Sequence, residues 1–290
     1  MVSNANIKKG VLYIVATPIG NLQDLSPRAQ SILHHVDIIA AEDTRHSRHL
    51  LNHFGIKTPL RSLHEHNERA QSNILLQYLL GGNNIALISD AGTPLISDPG
   101  SYLVQTVLAE QLTVIPIPGP SALISALSVA GIPAKRFVFE GFLPAKTRLQ
   151  RLNSVAHESR TLVFYEAPHR ILDCLKDMIQ VFGEERVAVL AKELTKVFET
   201  VYRENLPGIF NWLNAQPQRQ KGEFVLVVQG APKPDNNVLS PETIRIFQLL
   251  RQELSLKQAA KLTSEITGDS KNLLYAFGIT LKGNEKNLEG

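Results

Sequence analysis

Residues 88–100 read ISDAGTPLISDPG. An apolar run, Ile85-Ala86-Leu87-Ile88, stops abruptly in a segment crowded with Gly, Pro, Ser and Asp, which is how a buried strand ends in a ligand-facing loop. A phosphate loop would follow its glycines with Lys and Ser or Thr, and a dinucleotide loop would open a helix with GxGxxG; both present amides and positive charge to an anion. This loop offers the reverse, two carboxylates, Asp90 and Asp98, with several hydroxyls and no cation. Its ligand should bring hydrogen-bond donors or positive charge, such as ribose hydroxyls or an amino group. Asp98 followed by Pro99 also reads as a helix start, an N-cap with Pro in the first turn ahead of SYLVQTVLAE, and that reading takes most of Asp98. No such helix stands behind Asp90, because Gly92 and Pro94 intervene, so ligand contact is favoured there.

Working outward, runs rich in Val, Ile and aromatics predict strands at 11–16, 37–41, 85–88, 113–117, 137–140, 161–165, 187–191 and 224–228. Helical patterns fall between most of them, at 27–33, 47–54, 68–80, 101–110, 121–130 and 170–182. This alternation predicts α/β layers. Three prolines in Pro116-Ile117-Pro118-Gly119-Pro120 mark a domain boundary, and Gly230 to Asn237 reads as an exposed linker. Three parts are expected: an N-terminal α/β domain over 1–118, a second over 119–231, and a helical segment over 232–290. In the last, SLKQAAKLTSEITGDSKNLLYAFG reads as two helices joined by a Thr-Gly-Asp-Ser turn, a pattern shared by nucleic-acid readers and by hairpins that merely pack.

Composition sets bounds. With 290 residues, 43% hydrophobic and 20% charged, the chain is long enough for two modest cores. A single cysteine, Cys174, excludes an internal disulfide framework and suits a reducing compartment. No segment reads as a membrane span, the N-terminus lacks the apolar core of a signal peptide, and a cytoplasmic protein is expected. The net charge of +3 is mild, with basic residues gathered at Lys135-Arg136, at Lys146, Arg148 and Arg151, at His169-Arg170, and from Arg245 to Lys286. Each cluster taken singly reads as a solvated face.

Chemistry-bearing types recur where strands run out. VATPIGNLQDLSPRA ends a strand in a Thr-Pro-Ile-Gly-Asn loop; AAEDTRHSRHLL sets Glu42, Asp43 and Arg45 together, with Asp43 or Thr44 as a helix cap. PIPGPSALISALSVAG places Ser121 and Ala122 at a helix start with free amides. FYEAPHR and VLAKELTKVFET put Glu166, His169, Arg170, Lys192, Glu193 and Lys196 at further strand ends, a pattern shared by functional clusters and buried ion pairs. His64-Glu65-His66 would place two rings on one side of a strand, but no third ligand stands at a recognisable spacing, and no metal site is expected. No GxSxG elbow appears.

Taken in order, TPIGNLQDLSPRA, AEDTR, SDAGTPLISDPG, PGPSALISAL, EGFLPAK, YEAPHR, KELTK and KGEF resemble the ribosomal small-subunit RNA methyltransferases of the tetrapyrrole methylase superfamily that act on a ribose 2′ oxygen of a decoding-centre cytidine. The resemblance runs from about Gly10 to the C-terminal helices. It implies two α/β domains with S-adenosylmethionine in the cleft between them, a homodimer, and small-subunit ribosomal RNA as the partner. Carried over by motif, the cofactor contacts fall on Pro18, Asp90, Ala91, Gly92, Thr93, Ile96, Ser121, Ala122, Tyr165 and Glu166. A ribose hydroxyl is a poor nucleophile and needs a base or a cation beside it. Glu42, Asp43 and Glu193 are the candidates for the first role, Arg45 and Lys192 for the second. Lys146, Arg148, His169 and Arg170 are expected to rim the cleft and meet RNA. A methylase of a porphyrin-like molecule or a protein would share the fold, and a non-catalytic RNA-binding factor would share the surface; EDTR, YEAPHR and the basic C-terminal segment speak against the first, intact Asp90, Gly92 and Thr93 against the second.

Overall fold

The computed structural model describes residues 10–232 and 239–286. The N-terminal segment 1–9, where no signal peptide was read, and positions 233–237 of the expected linker lie outside the described residues. The chain forms two compact units, 1–231 and 232–290.

The first unit holds two five-stranded sheets. One is built from β1 (Val11–Val15), β2 (Ile38–Ala41), β3 (Leu60–Ser62), β4 (Ile85–Ile88) and β5 (Thr113–Ile117), in the order β3-β2-β4-β1-β5. Every pairing in it is parallel, so all five strands deliver their carboxyl ends to one edge. Alternation along β1 sends Val11, Tyr13 and Val15 into a core with α1 (Pro27–His35) and α2 (Thr44–His53), and Leu12 and Ile14 into a core with α3 (Glu68–Leu80) and α4 (Ser101–Ala109). A sheet covered on both faces needs strands apolar throughout, which is why β1, β2 and β4 are buried at every position.

The second sheet comprises β6 (Phe137–Phe142), β7 (Thr161–Glu166), β8 (Val187–Lys192), β9 (Thr200–Asn205) and β10 (Phe224–Val228), in the order β6-β7-β10-β8-β9. Only β6 and β7 run parallel; β10 lies antiparallel between β7 and β8, so its start meets their ends. One face carries α5 (Ala122–Val129) through Leu123, Ala126 and Leu127 against Val163, Val189 and Val225. The other carries α6 (Arg148–Ser154), α7 (Ile171–Phe182) and α8 (Leu206–Asn214).

In the second unit, α9 (Pro241–Glu253), α10 (Leu256–Thr267) and α11 (Lys271–Lys286) close on Phe247, Ala259, Ala260 and Leu274. Ser255 and Gln258 form a capping box at the start of α10, and Gly268, left-handed at φ 79°, ends it. Asp269 then fastens the turn, accepting from Thr243 Oγ1 at 2.5 Å through its carboxylate and from Ser264 Oγ at 2.7 Å through its carbonyl.

Several sequence expectations are corrected. Asp98 does not cap α4: the helix begins at Ser101 after Gly100, whose φ of 123° requires glycine, and its first amides are met by Glu68 Oε1, which accepts from Gly100 N at 2.8 Å and Tyr102 N at 2.9 Å. A side chain remote in sequence has taken the capping role. His64 and His66 do not share a strand, since β3 ends at Ser62 and a turn follows. Among the described residues no three His, Cys, Asp or Glu side chains are grouped to hold a metal ion. β5 spans Thr113–Ile117 as read from sequence, Pro116 included, which an edge strand tolerates. β3 is too short to show a period, and β9, TVYREN, is half polar because it is the other sheet's edge.

Candidate active site

The loops after β2, β4 and β5 face the ends of β7 and β8 and the start of β10 across a cavity of about 470 Å³. On the first wall stand Glu42, Asp90, Ala91, Gly92, Thr93, Ile96, Ser97, Asp98, Ser121 and Ala122; on the second, Tyr165, Glu166, Ala191, Leu194, Glu223, Phe224 and Val225. Ile19 and Phe142 complete the apolar part. The lining holds five carboxylates and no lysine or arginine.

Local bonding sets the first wall. Asp43 N donates to Asp90 Oδ1 at 3.1 Å, and Glu42 accepts from the Asp90 amide, so the ends of β2 and β4 are stapled to each other. Gly92 exchanges both backbone bonds with Thr17, N to O at 3.0 Å and O from N at 2.9 Å, and its φ of 83° is open to glycine at little cost. Thr93 Oγ1 donates to Pro120 O at 3.1 Å, tying this loop to the one that starts α5. Beyond it Leu95 and Ser97 are left-handed, at φ 76° and 71°. Non-glycine residues there store strain of order 1–3 kcal/mol each, which clusters at functional loops.

The second wall reaches back to the first through Tyr165, whose hydroxyl accepts from Leu123 N at 3.1 Å. One of the free amides expected at the start of α5 is thereby satisfied. Phe139 and Phe142 pack edge-on to the Tyr165 ring, with centroids 4.9 and 5.5 Å away. Glu166 is buried; its Oε1 accepts from Ala167 N at 2.8 Å and lies 3.3 Å from Arg170 Nε, and its Oε2 has no hydrogen-bond partner.

Electrostatics follow from this crowding of acids. Burial, with Asp90 and Asp98 nearby, raises the Glu42 carboxyl above its ordinary value. Burial also carries Asp98 to about 6, opposed by the Ser89 hydroxyl and assisted by Asp90. Tyr165 is raised by burial as well, with Asp98 adding to it.

Of the residues read from sequence as cofactor contacts, Asp90, Ala91, Gly92, Thr93, Ile96, Ser121, Ala122, Tyr165 and Glu166 line the cavity; Pro18 is buried beside it and does not. The five candidates for catalysis separate. Glu42 lines the cavity. Asp43 caps α2, accepting from Arg45 N at 2.7 Å and His46 N at 3.4 Å, which hold its carboxyl below the ordinary range. Arg45 projects into solvent, 94% exposed, 3.8 Å from Asp43. Lys192 is buried one position beyond the cavity-lining Ala191, hence on the opposite side of β8. Glu193 is raised by burial but lowered more by Lys196 Nζ at 2.9 Å and Glu223 N at 2.9 Å, so it works as a strut.

The expected RNA contacts also separate. Lys146 and His169 are exposed. Arg148 is held by Asp177 at 2.5 Å with only 13% of its side chain exposed, and Arg170 donates to Leu143 O besides pairing with Glu166. Neither lines the cavity, and each is engaged by partners within the chain. The apolar walls, Ile19, Phe142, Leu194 and Val225, were not singled out as site residues in the sequence: Ile19 and Leu194 lie in quoted strand-end loops, and Val225 in a predicted strand.

Known proteins are similar to this chain in sequence and in fold. The profile of the Tetrapyrrole (Corrin/Porphyrin) Methylases matches residues 11–209, and that of the RsmI C-terminal HTH domain matches 237–282. Ribosomal RNA small subunit methyltransferase I of Haemophilus influenzae is 54% identical over 93% of this chain and 96% of its own length; its namesake from Escherichia coli O157:H7 is 49% identical over 97% and 98%. Among solved structures, the cobalamin biosynthetic enzyme cobalt precorrin-4 methyltransferase, CbiF, superposes with a TM-score of 0.56 at 14% identity, covering 77% of this chain and 98% of its own. Diphthine synthase does so with 0.59 at 13%, covering 76% and 90%; these two likenesses establish the fold alone. With a profile matched over most of the first unit and relatives half identical along nearly its whole length, the chain belongs to the tetrapyrrole methylases and, within them, to the small-subunit ribosomal RNA methyltransferase I family.

Proposed function

We propose that this protein transfers a methyl group from S-adenosylmethionine to the 2′ oxygen of a cytidine at the decoding centre of the small ribosomal subunit. The family implies S-adenosylmethionine as methyl donor and small-subunit ribosomal RNA as substrate. The carrying observation is the donor set of the cavity, five carboxylates without a cation beside an apolar wall. That set fits a ligand with a sulfonium, an ammonium and ribose hydroxyls, and would repel a phosphate-rich one. Asp90 with the backbone of 91–93, Ser121 and Tyr165 would hold it, and Ile19, Phe142 and Val225 would exclude water. Bound there, it supplies an activated methyl carbon.

The chain's own work is alignment and proton removal. Holding the acceptor in line is worth up to about 7–11 kcal/mol. Proton removal falls to a carboxylate of the cavity rather than to Asp43 or Glu193, whose oxygens are engaged by backbone amides and Lys196. RNA is gripped through phosphates, with Lys146 and His169 near the second sheet and Lys257, Lys261 and Lys271 on the C-terminal helices, all exposed. A ribosomal substrate supports a cytoplasmic setting. A homodimer would cover Val197 and Phe198, which are 93% and 74% exposed.

The test is to incubate the protein with methyl-labelled S-adenosylmethionine and small subunits from cells lacking this modification, then digest the RNA to nucleosides. Label in 2′-O-methylcytidine is the expected result. Label on another nucleoside position would overturn the ribose assignment, and cofactor binding without label in RNA would transfer the reading to a small-molecule or protein methylase.

A further inference from the structure

Of the five carboxylates in the cavity, four are already answered by the protein. Glu42 accepts from the Asp90 amide, and Asp90 from the Asp43 amide at 3.1 Å. Glu166 accepts from the Ala167 amide at 2.8 Å beside Arg170, and Glu223 from Lys196 Nζ at 3.1 Å. Among the described residues, Asp98 has neither an amide nor a cation beside it. The one group favouring its charge is the Ser89 hydroxyl, which also stands 3.3 Å from Ala91 O. Three titratable groups face it, Asp90 and Glu42 at the ends of β4 and β2 and Tyr165 on β7 opposite, so Asp98 lies within electrostatic reach of both walls. Its position is fixed by its neighbour: left-handed Ser97 fits against Gly141, at the bulge of β6, where a Cβ would come within 3.0 Å of Ser97 Oγ.

We propose that Asp98 is the catalytic residue that accepts the proton of the ribose 2′-hydroxyl, an inference that rests on the 2′-O-methylation reading above. In the step, the O–H bond breaks and its proton passes to an Asp98 oxygen; the freed oxygen pair forms the bond to the methyl carbon. The electrons of the broken carbon–sulfur bond stay on sulfur, which becomes neutral, and the Asp98 proton later leaves to water. A carboxylate tied to amides is stabilised as the anion and is the weaker base; one met by a single hydroxyl among other acids is the stronger. Burial carries Asp98 to about 6, where it is still ionised at neutral pH and basic enough to take a proton in the transition state.

The experiment begins with the wild-type protein on unmodified small subunits, because absence of methyl transfer there sinks the function proposed above and says nothing about Asp98. With wild-type transfer in hand, Asp98→Asn is compared by calorimetric titration of S-adenosylmethionine and by single-turnover rate. The expected result is an affinity changed by less than about threefold and a rate lowered by at least about 100-fold. The wild-type rate should also rise with pH through about 6 to a plateau, a limb the variant lacks. A rate within about tenfold of wild type, or an affinity that falls as far as the rate, overturns the proposal. If Asp98→Asn does not fold, Asp98→Ser is read in the same way, and a wild-type profile flat through that pH overturns it alone.

Discussion

Two loops at the mouth of the cavity, 89–100 after β4 and 193–199 after β8, share a backbone habit and differ in charge. Each holds two non-glycine residues in the left-handed region, Leu95 and Ser97 in the first, Glu193 and Thr195 in the second. In the second, every charge has an answer. Lys196 bridges Glu193 and Glu223, Thr195 N donates to Glu199 Oε2 at 2.5 Å, and Gly222 leaves the room that the Glu193 carboxylate fills. In the first, Asp98 is met only by the Ser89 hydroxyl and Asp90 only by the Asp43 amide, and among the described residues no cation lines the cavity beside them. Strain with compensated charge builds a strut. Strain with uncompensated charge keeps a place for a ligand that carries the missing sign.

The comparison is broken most severely at Asp90. Asp90→Ala removes one of the negative charges and leaves Asp43 N without its acceptor, so S-adenosylmethionine affinity should fall at least about tenfold by calorimetry, with a stability cost of about 1–3 kcal/mol. An affinity within twofold of wild type would remove this loop from the donor site. Next comes Arg148→Met, which breaks a largely buried pair with Asp177 and should cost about 1–3 kcal/mol in denaturant unfolding while leaving the salt dependence of RNA binding unchanged. A shallower salt slope at unchanged stability would return Arg148 to the RNA interface.

Glu193→Gln sharpens the contrast from the strut side. Its pair with Lys196 is partly solvated, so the loss should stay below about 1 kcal/mol, with methyl transfer within a few fold of wild type. A collapse in rate would make Glu193 the base after all. The last effect has the opposite sign and falls at Asp98. Its folded value is raised, so protonation favours the fold below its ordinary value, and that contribution is lost as pH rises from about 4 through about 6. Asp98→Asn should therefore melt above the wild type at neutral pH, the difference closing as pH falls below about 4, and a lower melting point at neutral pH would contradict the burial argument.

Much of the architecture was legible because it is written in short-range pattern. Fully apolar runs such as Val11–Val15 can lie only in a sheet covered on both faces, and the polar residues that end them mark the ligand edge. Asp90 to Thr93 could thus be read as a ligand loop at a strand end, whereas Tyr165 entered only through the family resemblance. What stayed hidden depends on partners remote in sequence. Glu68 reaches across from α3 to cap α4, which releases Asp98 from the role its Pro99 neighbour advertises. Asp177 meets Arg148 from α7, an ion pair that the basic cluster around Arg148 does not announce. Val225 and Leu194 look like core because that is what their composition says; only the gap between the sheets makes them a wall.

Pro116 carries a consequence beyond the end of a strand. It lies in β5, at one margin of the parallel sheet, and offers no amide hydrogen there; the opposite margin, β3, has only three residues. A growing chain has made all five strands of that sheet by residue 117, before any of the second sheet exists to shelter it. At that moment neither margin is a good template for a neighbouring molecule's strand, so the half-finished protein is guarded against aggregation by the same prolines that turn the chain toward its second sheet.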